Sequence, residues 1–173
     1  MSRYLISVAA ALLMLTAAPA LAEVKSATPG GFEVGGSLVI ASPPARVWAV
    51  LTAPEAWWSR DHRWFKASTL LDLSPGGCWC EQAADGRVSR HLETALVEPG
   101  SKLVLRGGLG PLQGQGATGG LTFEIKAEGE GSLLTWAYIV GGYTPGGLEA
   151  WAAPVDGVLS AQLANLKARA EAD

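Results

Sequence analysis

The stretch "ASPPARVWAVLTAPEAWWS", residues 41–59, packs a helix start, a break and a second start into a short span. Ser42 can cap, Pro43 and Pro44 suit a first helical turn, and Val47, Trp48 and Leu51 fall on one face. Thr52-Ala53-Pro54 then breaks the pattern, and "APEAWWS" reads as a second short helix or helical turn. Upstream, "FEVGGSLVIA" (32–41) alternates apolar residues at Phe32, Val34, Leu38 and Ile40, a first strand with a Gly-Gly break. Downstream, the helical period disappears between Trp64 and Trp136.

That middle region reads as strands separated by turn signals. "KASTLLDLS" runs into Pro75-Gly76-Gly77, and "CWCEQ" and "RVSRHLETALV" flank Asp85-Gly86, a hairpin signal. "SKLVLRG" follows, and "GLTFEIKAE" and "SLLTWAYIV" flank a second hairpin. The Gly-rich stretch 107–120 lacks the lysine and spacing of a phosphate loop and reads as a long flexible connection. After Gly141-Gly142-Tyr143 the helical period returns. Trp151, Val155, Val158, Leu159, Gln162, Leu163 and Leu166 share a face, with Pro154 marking a kink or the true first turn. The order is one strand, two short helices, about six strands and one long terminal helix. An α+β fold follows, in which a curved antiparallel sheet of six or seven strands buries one face against that helix.

The N-terminus has a processing pattern instead of a core pattern. A positive start at Arg3, the apolar run "YLISVAAALLMLT" and Ala20-Leu21-Ala22 read as a cleaved signal peptide over residues 1–22. Export to the periplasm or outside the cell is expected. Residues 23–31 read as a flexible lead-in and 32–173 as one domain. Without Arg3 the formal charge moves from −3 to −4, and no basic stripe exists to meet nucleic-acid phosphates. No later stretch reaches membrane-spanning length. All seven tryptophans lie beyond residue 22, more rigid apolar surface than a plain core needs, which hints at a ligand pocket.

Taken together, "ASPPARVWAVLTAPEAWWS", "PGGCWCE", "LVEPGSKLVLRG", "GLTFEIKAEGEGSLLTWAYIV" and the terminal helix resemble the START-related, Bet v 1-like helix-grip superfamily, also called SRPBCC proteins. The likeness covers residues 32–170 and is closest to the polyketide cyclase and Hsp90-ATPase-activator-like branch. It implies a hydrophobic cavity between sheet and long helix, in proteins that range from lipid and hormone binders to cyclases and co-chaperones. The export signal removes the activator of a cytosolic chaperone. The expected partner is a small apolar or amphipathic molecule, with no cofactor.

Hairpin arithmetic bears on the chemistry. If Asp85-Gly86 is a two-residue turn, paired positions sum to 171, which puts Cys80 opposite His91 and Cys78 opposite Glu93. Those four side chains then share one face, with Trp79, Val88 and Leu92 on the other. Three readings of the cysteines stay open. Buried, packed thiols lining the cavity are favoured; a disulfide would need a local kink, because i and i+2 in a flat strand lie too far apart. A metal held by Cys78, Cys80 and His91, with Glu93 or water as a fourth ligand, is the third. His91 and His62 are the acid–base candidates. Trp57, Trp58 and Trp64 are placed at the pocket rim, with Tyr143, Val155 and Leu159 also facing ligand and Asp156 a further polar candidate. Trp48 and Trp136 read as core. Binding is favoured over catalysis, since too few polar groups are placed inside to converge on one void.

Overall fold

The structure, a computed structural model, describes residues 23–172, so the expected signal peptide lies outside the described residues. Eight strands form one antiparallel sheet in the order β1-β2-β8-β7-β6-β5-β4-β3. They are β1 (Glu23–Thr28), β2 (Gly31–Ile40), β3 (Ser68–Leu71), β4 (Cys78–Gln82), β5 (Val88–Glu98), β6 (Lys102–Gly107), β7 (Gly116–Glu128) and β8 (Gly131–Tyr143). Helix α1 (Pro44–Leu51) follows β2, and α2 (Glu149–Glu171) lies against the sheet. Three 3₁₀ turns, at Pro54–Ala56, Arg60–His62 and Gly110–Gly114, complete the described chain. This is the expected α+β helix-grip architecture.

The helices form where the apolar period demanded them. Pro44 occupies the first turn of α1, and Val47, Val50 and Leu51 bury its inner face. Trp48 is half-buried at the edge of the core, while Trp136 is buried within it. Helix α2 continues through Pro154, which cannot donate to Ala150 one turn back. Its inner stripe is Ala152, Leu159, Gln162, Leu163, Leu166 and Ala170. The Gln162 side chain is buried and accepts the Ser59 N–H at 2.7 Å, which ties the helix to the short turns.

Three segments depart from expectation. Residues 23–28 are not a flexible lead-in but the edge strand β1, paired with β2. An edge strand whose side chains face water needs no apolar alternation, so periodicity could not reveal it. This strand takes the sheet to eight. Strand β2 also runs unbroken through Gly35-Gly36, because β8 approaches so closely that a Cβ at Gly35 would meet the Trp136 carbonyl at 2.7 Å. The Gly-rich connection, finally, is ordered: Gly110–Gly114 form a turn and Gly116–Gly120 already belong to β7.

That turn is held by Tyr138, which is fully buried on β8. Its hydroxyl donates to the Gly107 carbonyl at 2.8 Å and accepts the Leu109 N–H at 3.0 Å. Burial pushes the phenol up to about 12. Tyr138→Phe strands both backbone groups and is expected to cost about 1–3 kcal/mol in urea unfolding. A loss below a few tenths of a kcal/mol would show that the turn holds itself.

Candidate functional site

The local geometry begins at the β4–β5 hairpin. Its loop is not the expected two-residue turn. Ala83 accepts the Gly86 N–H and donates to the Arg87 carbonyl, so Ala84, Asp85 and Gly86 form a three-residue loop. Gly86, at φ 90°, takes the left-handed position that such a loop requires. Pairing therefore starts one residue out of the expected register: Gln82 faces Val88, Glu81 faces Ser89 and Cys80 faces Arg90. A bulge at His91 then restores it, leaving Trp79 opposite Leu92 and Cys78 opposite Glu93.

The bulge turns His91 to the inside. His91 and its neighbour Leu92 are both buried, 4% and 1% exposed, on the face that carries Trp79 and Glu81. The expected grouping of Cys78, Cys80, His91 and Glu93 does not form. Cys78 and Cys80 lie on the outer face, half-exposed, and are joined by a disulfide. Their Cα atoms are 5.3 Å apart, closer than two steps of a flat strand, which supplies the local kink a bond needs. Packed, cavity-lining thiols are thus overturned. So is the metal set, because the sulfurs are bonded to each other and His91 points away.

Inside, Glu81 organises the wall. Its carboxylate is fully buried and accepts the N–H groups of Trp64 (2.7 Å), Phe65 (2.7 Å) and Ala67 (3.0 Å). Lys66, at φ 52°, gives the chain the curl that converges these donors. Burial alone would raise the carboxyl, but the three backbone donors, helped by His91, outweigh it and hold Glu81 below the ordinary carboxylate range. Arg63 grips the same segment from within. Its buried guanidinium donates to the Trp58 carbonyl (2.6 Å), the Ala67 carbonyl (2.8 Å) and Glu55 (2.7 Å).

His91 stands beside this clamp. Its Nε2 is 3.5 Å from Glu81 Oε2, and its Nδ1 is 3.4 Å from Gln113 Nε2. The Gln113 amide faces Nδ1, while Nε2, although near Glu81, makes no hydrogen bond among the described residues. Burial lowers the imidazole below its ordinary value, Arg63 adds to that, and Glu81 opposes it in part. Gln113 is fixed in turn by Ser89, whose hydroxyl donates at 3.1 Å.

These groups border a cavity of about 350 Å³ between the short turns, the Gly110–Gly114 turn and the first half of α2. Its wall is Trp58, Trp64, Trp151, Val155, Val158, Leu109 and Pro111, with Pro154 at the helix and His91 at the sheet. Asp61, His62, Arg63 and Gly110 complete the lining; Asp61 and His62 are exposed. Of the expected ligand-facing residues, Trp58, Trp64, His91 and Val155 line it. Trp57 and Leu159 are core instead, 5% and 1% exposed, because the helix stripe and the aromatic cluster are wider than the void. Tyr143 is 73% exposed at the end of β8, away from the cavity. Asp156 is half-buried on the side of α2 toward β1 and its carboxyl is raised, by burial and then by Glu23.

Sequence reasoning missed Glu81, Arg63, Gln113 and Trp151. Glu81 alone carried a usable signal: period two puts it on the face of Trp79, but that face was expected to point away from the cavity-lining cysteines, and the structure turns it inward.

The model of the family described as "Polyketide cyclase / dehydrase and lipid transport" matches residues 32–171. No curated protein matches the chain. Among solved structures, the chain is similar to CalU16 from Micromonospora echinospora at 18% identity and TM-score 0.57, covering 87% of this chain and 84% of that one. It is also similar to an uncharacterized protein from Rhizobium leguminosarum at 20% identity and TM-score 0.60, covering 89% and 99%. At these identities the likeness is one of fold.

Replacing Glu81 with Gln leaves at most one acceptor oxygen where three backbone donors converge. Glu81→Gln is expected to lose about 2–4 kcal/mol in denaturant unfolding, with backbone hydrogen exchange accelerated first at residues 64–67. Stability within 1 kcal/mol of wild type would remove Glu81 from this role.

Proposed function

Because the chain belongs to the "Polyketide cyclase / dehydrase and lipid transport" family, we propose that it is an exported binding protein for a small, largely apolar molecule. One observation carries this reading: the cavity is walled mainly by aromatic and aliphatic side chains, and the buried imidazole in its wall, His91, is held by Gln113 at Nδ1 with no second polar group among the described residues converging on the void beside it. A volume of about 350 Å³ suits a compact ligand. The apolar run before Ala22 and the Cys78–Cys80 bond, a bond suited to an oxidising compartment, support export.

A second reading has its own support. Glu81 beside His91 would stabilise an imidazolium, so a substrate that displaced Gln113 from Nδ1 would meet an acid–base pair.

Native mass spectrometry of protein isolated from its own host is expected to reveal a retained organic mass. Val158→Trp, which fills the void from α2, should weaken binding of that molecule by roughly tenfold or more while the far-ultraviolet spectrum stays unchanged. A wild-type protein that retains nothing and takes up no apolar dye contradicts the binding reading. Conversion of the retained molecule by wild type but not by His91→Gln would favour the enzyme.

A further inference from the structure

The Cys78–Cys80 bond has a placement that structural stapling does not explain. It encloses a single residue, so it removes little freedom from the unfolded chain compared with a bond that closes a long loop. It also lies half-exposed on the outer face of the sheet, where a thiol can reach it.

The two sulfurs have unlike surroundings. Cys80 pairs with Leu70 of β3 on one side and Arg90 of β5 on the other. Cys78 pairs with Glu93 of β5, and on its other side its carbonyl accepts the Asp72 N–H at 3.0 Å. Side chains directly opposite in a sheet stand about 4.5–5.5 Å apart at Cβ. Arg90 and Glu93 are ion-paired with each other at 2.9 Å, so their charges partly offset. What remains is an asymmetry of position, with the guanidinium opposite Cys80 and the acids Glu93 and, across the other edge, Asp72 on the Cys78 side. The better leaving group is Cys80.

We propose that Cys78–Cys80 is a thiol–disulfide exchange site, attacked at Cys78 and releasing Cys80 as the thiolate. An incoming thiolate forms a new S–S bond to Cys78 while the Cys78–Cys80 bond breaks, its electron pair leaving on Cys80. A second thiol then displaces Cys78 from the mixed disulfide. The net change is two thiols oxidised to one external disulfide and the protein disulfide reduced to two thiols; a disulfide-class oxidant reverses it. The acids around Cys78 select the partner: a thiol on a cationic molecule approaches more easily than one on an anion. This site is independent of whatever fills the cavity.

The event is visible from inside. Trp79, between the two cysteines, lies across the sheet with its ring 4.8 Å from Trp58 and 5.8 Å from Trp57. Opening the bond frees β4 to extend and changes that cluster's fluorescence.

The test uses the folded protein with cysteamine and 3-mercaptopropionate as separate probes. Acid-quenched reactions are mapped by mass spectrometry. The mixed disulfide is expected on Cys78, and cysteamine should react ~5-fold or more faster at low salt, the gap closing as salt rises. After full reduction, Cys80 should alkylate several-fold faster than Cys78 at neutral pH, with the far-ultraviolet spectrum unchanged. A bond that opens only in denaturant overturns the proposal, as does a mixed disulfide on Cys80 or equal alkylation of the two thiols.

Discussion

A carboxylate buried in an aromatic wall is stable only if donors surround it, and Glu81 meets that condition with three backbone N–H groups from one short segment. The consequence runs both ways. The donors keep the charge tolerable, and the charge fixes residues 64–67, which otherwise have no strand to join. Arg63 secures the same segment by its carbonyls, so donors and acceptors of one irregular stretch are consumed by two buried ions. The cavity wall between β4 and α2 is held by these bonds, although it contains almost no regular structure.

The β4–β5 ladder then sets what that wall presents. The three-residue loop and the bulge each shift the pairing by one, in opposite senses, so they cancel at the far end and leave His91 displaced between them. An unbulged strand in the same register would have sent either His91 or Leu92 outward. With the bulge both point inward: Leu92 extends the core and His91 reaches the cavity. The kink that brings Cys78 and Cys80 together lies on β4 at the point where the register shifts.

Much of this architecture is legible in the residues. The stripe of α2, the Pro44 start of α1 and the alternation of β2 follow directly from side-chain periods. What escaped did so for identifiable reasons. Strand β1 is an edge with a wet surface, so its composition carries no alternation. The Asp85-Gly86 signal marks a turn but not its length, and one residue in length decides which face every following side chain takes. Trp57 and Trp58 are adjacent and alike, yet only Trp58 borders the void; tertiary packing, not composition, separates them. Expecting the cysteines as buried thiols rested on flat-strand geometry, and the local contraction of β4 removed that premise. Export of the chain remains a proposal carried by its first residues and by the disulfide.

The account turns on a neutral His91 in the cavity wall. Burial depresses its folded value, so the unfolded chain binds more protons at mildly acidic pH, and the stability this group contributes is full above the ordinary value of 6.5 and declines below it. Titrating the His91 imidazole by NMR, with His62 assigned alongside, tests this most directly. The account predicts a His91 midpoint below 6.5, with its signals moving when the cavity is filled by an apolar molecule. A midpoint at or above 6.5, or His91 signals indifferent to an occupant that binds, would contradict it.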